Sequence, residues 1–456
     1  MTKERLPLAL GILGAGAIAA VVLHLLAGTT FPSPWPDEID FMTPAAQLAR
    51  HFTLSAPQLS APHGMFWEPE LMYFVWAPVL RFAPLAVESA RWVSLALLIA
   101  AAGGFFAAGR RAGVPPIAGA AAAALFLVTP EAIAGANIAR PETMVLAFVA
   151  WSAAATMHDR RVLALSLAAF ACVSHSAGVP FALVLAVPNL LRRTDRPPTR
   201  RSEWAVAGVA AAFVVFQALH LLLNASVALD QLRFQAQVHS HVTHGNRGPY
   251  VEAAAVLTLS LLLLRRRLEW RALVLGALAV AGIAVLFIGW EMWYEIYAVD
   301  LAPLLVAYVA IVALRGAVTS TAVARVTAAL VVVLFALFAV PATTTPGFEG
   351  MQLRRYPDEW HAFERRVTSE LRHIDRMETS PTVVVLNDVS GLPWPLRTDR
   401  VGRHLRMVKE TLVTRAQVTP QISLFTPGHR QPPHGRRLAT ITSPHHVFTA
   451  IFVDLR

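Results

Sequence analysis

Apolar runs recur along the first three-quarters of the chain, and short arginine clusters close them: Arg110-Arg111, Arg160-Arg161, Arg192-Arg193, Arg200-Arg201 and Arg265-Arg266-Arg267. A helix needs about 20 apolar residues to cross a bilayer. Of the 456 residues, 55% are hydrophobic and 15% charged, whereas soluble domains carry about 25% charged residues. A chain of this kind crosses a membrane many times rather than enclosing one soluble core. Its net charge of +10 is gathered between apolar runs. That is the pattern of cytoplasmic loops and argues against nucleic acid as a partner. A single cysteine, Cys172, rules out an intrachain disulfide and a cysteine-based zinc site.

Lys3 and Arg5 precede the first apolar run, which reads as an uncleaved span over about 6–27. Further spans are expected at about 87–108, 115–129, 141–157, two within 162–191, then 204–223, 251–264, 272–289, 299–314 and 326–340. The total is about eleven. Every short arginine-rich loop then falls on the side of the N-terminus, which is cytoplasmic by the positive-inside rule, and Asp37, Glu38, Asp40, Glu131, Glu291 and Glu295 fall on the other side. Two spans in about thirty residues at 162–191 are too short for a full crossing each. The turn Ser174-His175-Ser176 is therefore expected below the membrane surface, lining a pocket.

A long first outer loop, 28–86, follows span one, and Pro32, Pro34 and Pro36 interrupt the helix there. From Asp37 a new helical pattern puts Ile39, Met42, Ala46 and Ala49 on one face and leaves Asp37, Asp40 and Gln47 off it, as in an amphipathic helix on the membrane. Residues 66–82 predict a second interfacial or re-entrant helix. Residues 1–342 thus form a transmembrane domain, and 343–456 a small soluble α/β domain outside the cytoplasm. In the latter, Trp360, Phe363, Val367, Leu371 and Ile374 repeat with helical spacing, and 382–386 and 447–453 read as strands.

Several groups carry chemistry, each with a plainer alternative. Asp37 and Glu38 suit a catalytic base and its neighbour, or simply the acidic first turn of a helix. Asp40 reads as a solvated face residue. Arg140-Pro141-Glu142 suits phosphate binding at the outer end of a span, or a helix start with proline in its first turn. His175 is a pocket residue or a satisfied core histidine. Arg247, with His239, His241 and His244 before it and Tyr250 after it, could hold a phosphate or a metal, or belong to a flexible polar loop. Trp290, Trp293, Tyr294 and Tyr297 form an aromatic belt, but the interleaved Glu291 and Glu295 also suit a sugar. The chain has no glycine-rich phosphate loop, no His-Glu-x-x-His and no Gly-x-Ser-x-Gly. A substrate activated outside the cytoplasm would bring its own leaving group.

The acidic pair after span one, in a long outer loop with juxtamembrane helices, resembles the GT-C membrane glycosyltransferases. Trp67-Glu68-Pro69-Glu70-Leu71-Met72-Tyr73 resembles a looser form of the Pro-Pro-Leu-Tyr stretch of bacterial relatives. Arg140-Pro141-Glu142 is similar to the Arg-Pro-Glu/Asp element of the mannosyltransferase branches of that superfamily, which includes protein mannosyltransferases and aminoarabinose transferase-like enzymes. The resemblance implies inverting sugar transfer from a polyprenyl-phosphate-linked donor to a lipid- or protein-linked acceptor, outside the cytoplasm of a bacterial inner membrane. Under it, Asp37 is the base and Glu38 orients it or binds acceptor or metal. Arg140, His175 and Arg247 neutralise the donor phosphate, and Glu68, Tyr73, Glu142, Tyr250, Glu291, Trp293 and Tyr294 contact substrate. A divalent cation stays open as the one cofactor. The rivals are a lipid or solute transporter, and a non-catalytic subunit of an envelope glycan assembly system.

Overall fold

The computed structural model describes residues 5–27, 36–66, 68–192, 199–239, 248–266, 268–288, 294–317, 359–387, 400–411, 418–426, 434–446 and 448–456. Arg247, Glu291, Trp293, His241, His244, Trp67, Trp290 and the expected span at 326–340 lie outside the described residues.

Helices make up most of the described residues. In order they are α1 (Arg5–Ala27), α2 (Pro36–His51), α3 (Leu71–Phe82), α4 (Val87–Arg111), α5 (Pro116–Phe126), α6 (Pro130–Ala136), α7 (Glu142–Met157), α8 (Arg161–Cys172), α9 (Gly178–Leu191), α10 (Arg201–Leu223), α11 (Ala225–His239), α12 (Gly248–Leu264), α13 (Trp270–Ile288) and α14 (Ala302–Ala317). A π-helical turn, Ile296–Leu301, leads directly into α14. Among the described residues five helical stretches are long and apolar enough to cross a membrane, or six if the bent pair α5 and α6 counts as one. That makes a multi-pass membrane protein. The remaining apolar helices of the bundle are 10–17 residues long.

Three stretches differ from the sequence expectations. Residues 130–136, expected as loop, form α6, turned by 65° from α5. Pro130 opens α6 because its fixed φ suits a first helical turn but cannot continue the preceding one. Residues 225–239, expected as polar loop, form α11. Finally, α2 does not lie on a membrane with a wet face: residues 37–46 are buried all round, Asp40 included. A helix this polar is enclosed only because partners for its carboxylates come from distant segments.

The bundle core is apolar and rich in alanine, with α4 against α7 at its centre. A Cβ on Gly104 of α4 would stand 2.8 Å from the Ala150 side chain of α7, so the glycine sets how closely these helices approach. The hairpin α8–α9 is built of 12- and 14-residue helices, and the turn between them buries His175 completely.

In the C-terminal part, helix α15 (Glu359–Met377) packs its Trp360, Phe363, Val367, Leu371 and Ile374 face on a six-stranded sheet. The strands are β1 (Thr382–Asn387), β2 (Arg400–Val401), β3 (Leu405–Lys409), β4 (Ile422–Phe425), β5 (Arg436–Thr442) and β6 (Thr449–Asp454). They lie in the order β2-β3-β1-β4-β6-β5, with β1 parallel to both β3 and β4 and the outer pairs antiparallel. Strand β3 meets the 3-10 turn Pro57–Leu59 of the first outer loop. Its last residue, Lys409, donates to Asp40 of α2. On the same boundary His361 of α15 stands 3.5 Å from Glu88 of α4.

Candidate active site

Asp37 projects from the first turn of α2 and accepts a hydrogen bond from Arg140 Nη1 at 2.6 Å. Arg140 lies on the short link between α6 and α7. Its Nε donates to Glu142 at 3.1 Å, and its guanidinium stands 5.2 Å from the centre of the Phe41 ring. Of the two ion-paired side chains Asp37 is the more open, 12% exposed against 2% for Arg140. Pro141 keeps the two groups in step: it fixes the backbone before α7, so Arg140 turns back towards Glu142 in the helix's first turn.

His175 joins from the α8–α9 turn. Its Nδ1 accepts the Ala177 amide at 3.0 Å, which assigns the ring proton to Nε2. That nitrogen faces Glu68 Oε1 at 3.0 Å and the Tyr294 hydroxyl at 3.3 Å. Tyr297, one helical turn further on, donates to the Glu142 carbonyl at 3.2 Å. Arg140 and Glu142 both exert an electrostatic effect on the His175 ring. Asp37, Arg140, Glu142, His175, Glu68 and Tyr294 thus belong to one buried group, drawn from five separate segments.

Tyr73 lies beside it on α3, buried, its hydroxyl without a hydrogen-bond partner among the described residues. The charges acting on it are Glu70, Glu68 and Asp40. Trp76 Nε1, one turn on, and the second oxygens of Glu68, Glu70 and Glu142 are also buried and without a partner among the described residues. Buried donors and acceptors left open in this number are what a hydroxyl-rich ligand would satisfy. Glu70 pairs with His220 of α10. Burial raises the Glu70 carboxyl above its ordinary value, against the pull of His220.

Two expected site residues have other surroundings. Glu38, expected to orient Asp37 or bind a ligand, is fully enclosed: Arg91 of α4 binds both its oxygens, at 2.8 and 2.6 Å, and the Ala139 amide donates to it at 2.8 Å. It ties α2 to α4 and to the link that carries Arg140. Tyr250 is only half-buried on α12, and the carboxylates acting on it are Glu295 and Glu131. Those two lie with Asp300 in a second acidic group.

Arg91, Lys409, His220 and Asp300 were not among the sequence candidates. Arg91 and Asp300 had a legible signal, an ionisable residue inside an apolar run. Lys409 and His220 had none, since their role depends on what packs against them. Among the described residues no group of three or more histidine, cysteine or acidic side chains is arranged to hold a metal ion.

No family model matches the chain, and no curated protein matches it. Among solved structures it is similar to the S. cerevisiae protein O-mannosyltransferase Pmt1–Pmt2 complex bound to the sugar donor, with 16% identity and a TM-score of 0.32. The similarity covers 49% of this chain and 33% of that one. A likeness of that degree leaves function to be read from the site itself.

Proposed function

We propose that the protein is a membrane glycosyltransferase of the GT-C type. It moves a sugar from a polyprenyl-phosphate-linked donor to an acceptor hydroxyl at the non-cytoplasmic face, with inversion. The observation that carries this is the buried contact of Asp37 with Arg140, 2.6 Å long, between a first-loop helix and a loop 103 positions away.

The chemistry needs a base and a cation side by side. Asp37 takes the proton as the acceptor oxygen attacks the anomeric carbon. The bond from that carbon to the phosphate oxygen breaks, and its electron pair leaves with the polyprenyl phosphate. The donor phosphodiester has one negative charge and the departing phosphate two, so a guanidinium at the phosphate stabilises the transition state more than the ground state. Arg140 has the planar fork for this. A single displacement needs one base and no covalent nucleophile, unlike the paired carboxylates of retaining hydrolases. Glu68, Tyr73, Glu142 and Tyr294 offer hydroxyl-binding groups around the same space. The proposed location is the bacterial inner membrane, with the C-terminal sheet outside the cytoplasm.

The test is turnover by the purified protein of a polyprenyl-phosphate-linked sugar, read as released polyprenyl phosphate. Asp37→Asn should lower the rate by about a hundredfold or more; an unchanged rate removes Asp37 as the base.

Glu131 and Asp300, buried within apolar segments, favour a second reading as an ion-coupled transporter. Its test is solute or lipid flux in proteoliposomes, with Asp300→Asn abolishing it.

A further inference from the structure

Each site cation already has a carboxylate. Arg140 is bound by Asp37 and Glu142, Lys409 by Asp40, His175 by Glu68 and His220 by Glu70. Among the described residues an entering phosphate therefore finds no cation of this group without an anionic partner, and it gains a ligand there by displacing one. We propose that the donor phosphate displaces Asp37 from Arg140, so that the contact masks the base until donor is bound and donor binding releases it. This rests on the transferase function proposed above.

Asp37 is the partner that can leave. Its side chain is the most open of the three joined at Arg140, 12% exposed against 2% for Arg140 and 3% for Glu142. The guanidinium does not need Asp37 to stay in place. Glu142 holds its Nε from the other side, and Phe41 lies 5.2 Å from it. Nη1, the nitrogen given to Asp37, is thus the position a phosphate oxygen can take over. The exchange trades one anion for another at the same buried cation, so no net charge is stranded at Arg140.

The freed carboxylate is then the base. While Arg140 donates to it, Oδ2 of Asp37 is turned to the guanidinium and not to an acceptor hydroxyl. Once the phosphate has taken Nη1, that oxygen turns to the acceptor hydroxyl. The proton moves from hydroxyl to carboxylate, the new bond from oxygen to the anomeric carbon forms, and the bond to phosphate breaks with its electrons on the phosphate. Departure of polyprenyl phosphate lets Asp37 close on Arg140 again. Acceptor hydroxyls, water included, meet a masked base whenever donor is absent, which orders the reaction as donor first.

The consequence runs opposite to that of an ordinary binding-site substitution. If Asp37 competes with phosphate for Arg140, Asp37→Asn should bind a polyprenyl phosphate at least tenfold more tightly than the wild type, while losing transfer. Binding is measured on the full chain in detergent with a polyprenyl phosphate, and in parallel with inorganic phosphate to separate a lipid contribution from the shared phosphate chemistry. The tightening should vanish in the Arg140→Gln background. Unchanged or weaker binding by Asp37→Asn overturns the exchange, as does a tightening that persists without Arg140, which would reflect overall charge alone. Should Asp37→Asn fail to fold, Asp37→Ser serves the same comparison. Turnover reports separately on function: an Asp37→Asn protein that still transfers sugar removes the base, whatever its phosphate affinity.

Discussion

Lys409, the last residue of β3 in the C-terminal sheet, forms a buried ion pair with Asp40, which stands one helical turn from Asp37 on α2. The two are 369 positions apart in the chain. Asp40 is 2% exposed and Lys409 4%, so neither charge has bulk water to fall back on. The C-terminal sheet is thereby fastened to the helix that presents the proposed base.

Removing one partner should disturb both stability and catalysis. Breaking a buried ion pair by truncating one side costs about 3–5 kcal/mol. Lys409→Met is expected to lower the thermal midpoint in detergent and to reduce kcat about tenfold or more by letting α2 shift. Lys409→Arg should restore most of both. In a double-mutant cycle, Asp40→Asn on top of Lys409→Met should cost much less than the sum of the single changes. Strict additivity would mean the pair is not coupled.

Glu38 should behave as an anchor rather than as a catalytic group. Glu38→Gln leaves the Arg91 guanidinium, which is wholly buried, without its carboxylate. Loss of stability by about 3–5 kcal/mol is the expected result, seen as a lowered melting temperature and greater proteolysis of the first outer loop. Replacing both residues together, Glu38→Met with Arg91→Met, should recover much of it. Whatever folded Glu38→Gln protein remains is expected to keep its substrate KM.

The contact between α4 and α7 leaves no room for a side chain at Gly104. Gly104→Val is expected to destabilise the bundle by about 1–3 kcal/mol through overpacking against Ala150. Gly14 of α1, where a Cβ would meet nothing within 4 Å, should accept alanine without loss. Comparative melting curves of the two variants check this pair.

Acid should loosen the C-terminal sheet at one corner first. Asp375 of α15 accepts the amides of His404, Leu405 and Arg403 at the turn before β3. Burial pushes its carboxyl up, but those amides outweigh burial and hold it below its ordinary value of 3.8. A carboxyl depressed in the folded state adds stability that is complete above the ordinary value and disappears as pH falls through the folded one. Hydrogen exchange at residues 403–405 should therefore accelerate as the pH drops below about 4, after correction for intrinsic rates. Asp375→Asn should show fast exchange at those amides already at neutral pH. Protection there that does not change down to pH 2 would deny Asp375 this role.

Much of the helical part was legible because periodicity and length carry it. The apolar runs, the short hairpin around His175 and the spacing of Trp360, Phe363, Val367, Leu371 and Ile374 each follow from local pattern, and the described helices run over the same stretches. Composition misled where it stood in for pattern. The segment Ala225–His239 is polar, yet it forms a helix whose Gln231 accepts the Phe66 amide and donates to the Gly64 carbonyl of the first loop. Residues 37–46 looked amphipathic because their carboxylates were given to water, and a helix wheel has no means of representing Arg91, Arg140 and Lys409.

By itself the order of residues determined which stretches are apolar helices and that an acidic pair, an Arg-Pro-Glu and a lone histidine stand at their ends. Those are properties of neighbours three or four positions apart, which the backbone geometry of one helix settles. Tertiary structure alone decided that Asp37 meets Arg140 while Glu38, the next residue, meets Arg91, and that Lys409 reaches Asp40. Successive residues on a helix point about 100° apart, so adjacent carboxylates acquire different partners and different tasks. Coulomb attraction between buried charges selects those partners only after the chain has brought them within reach.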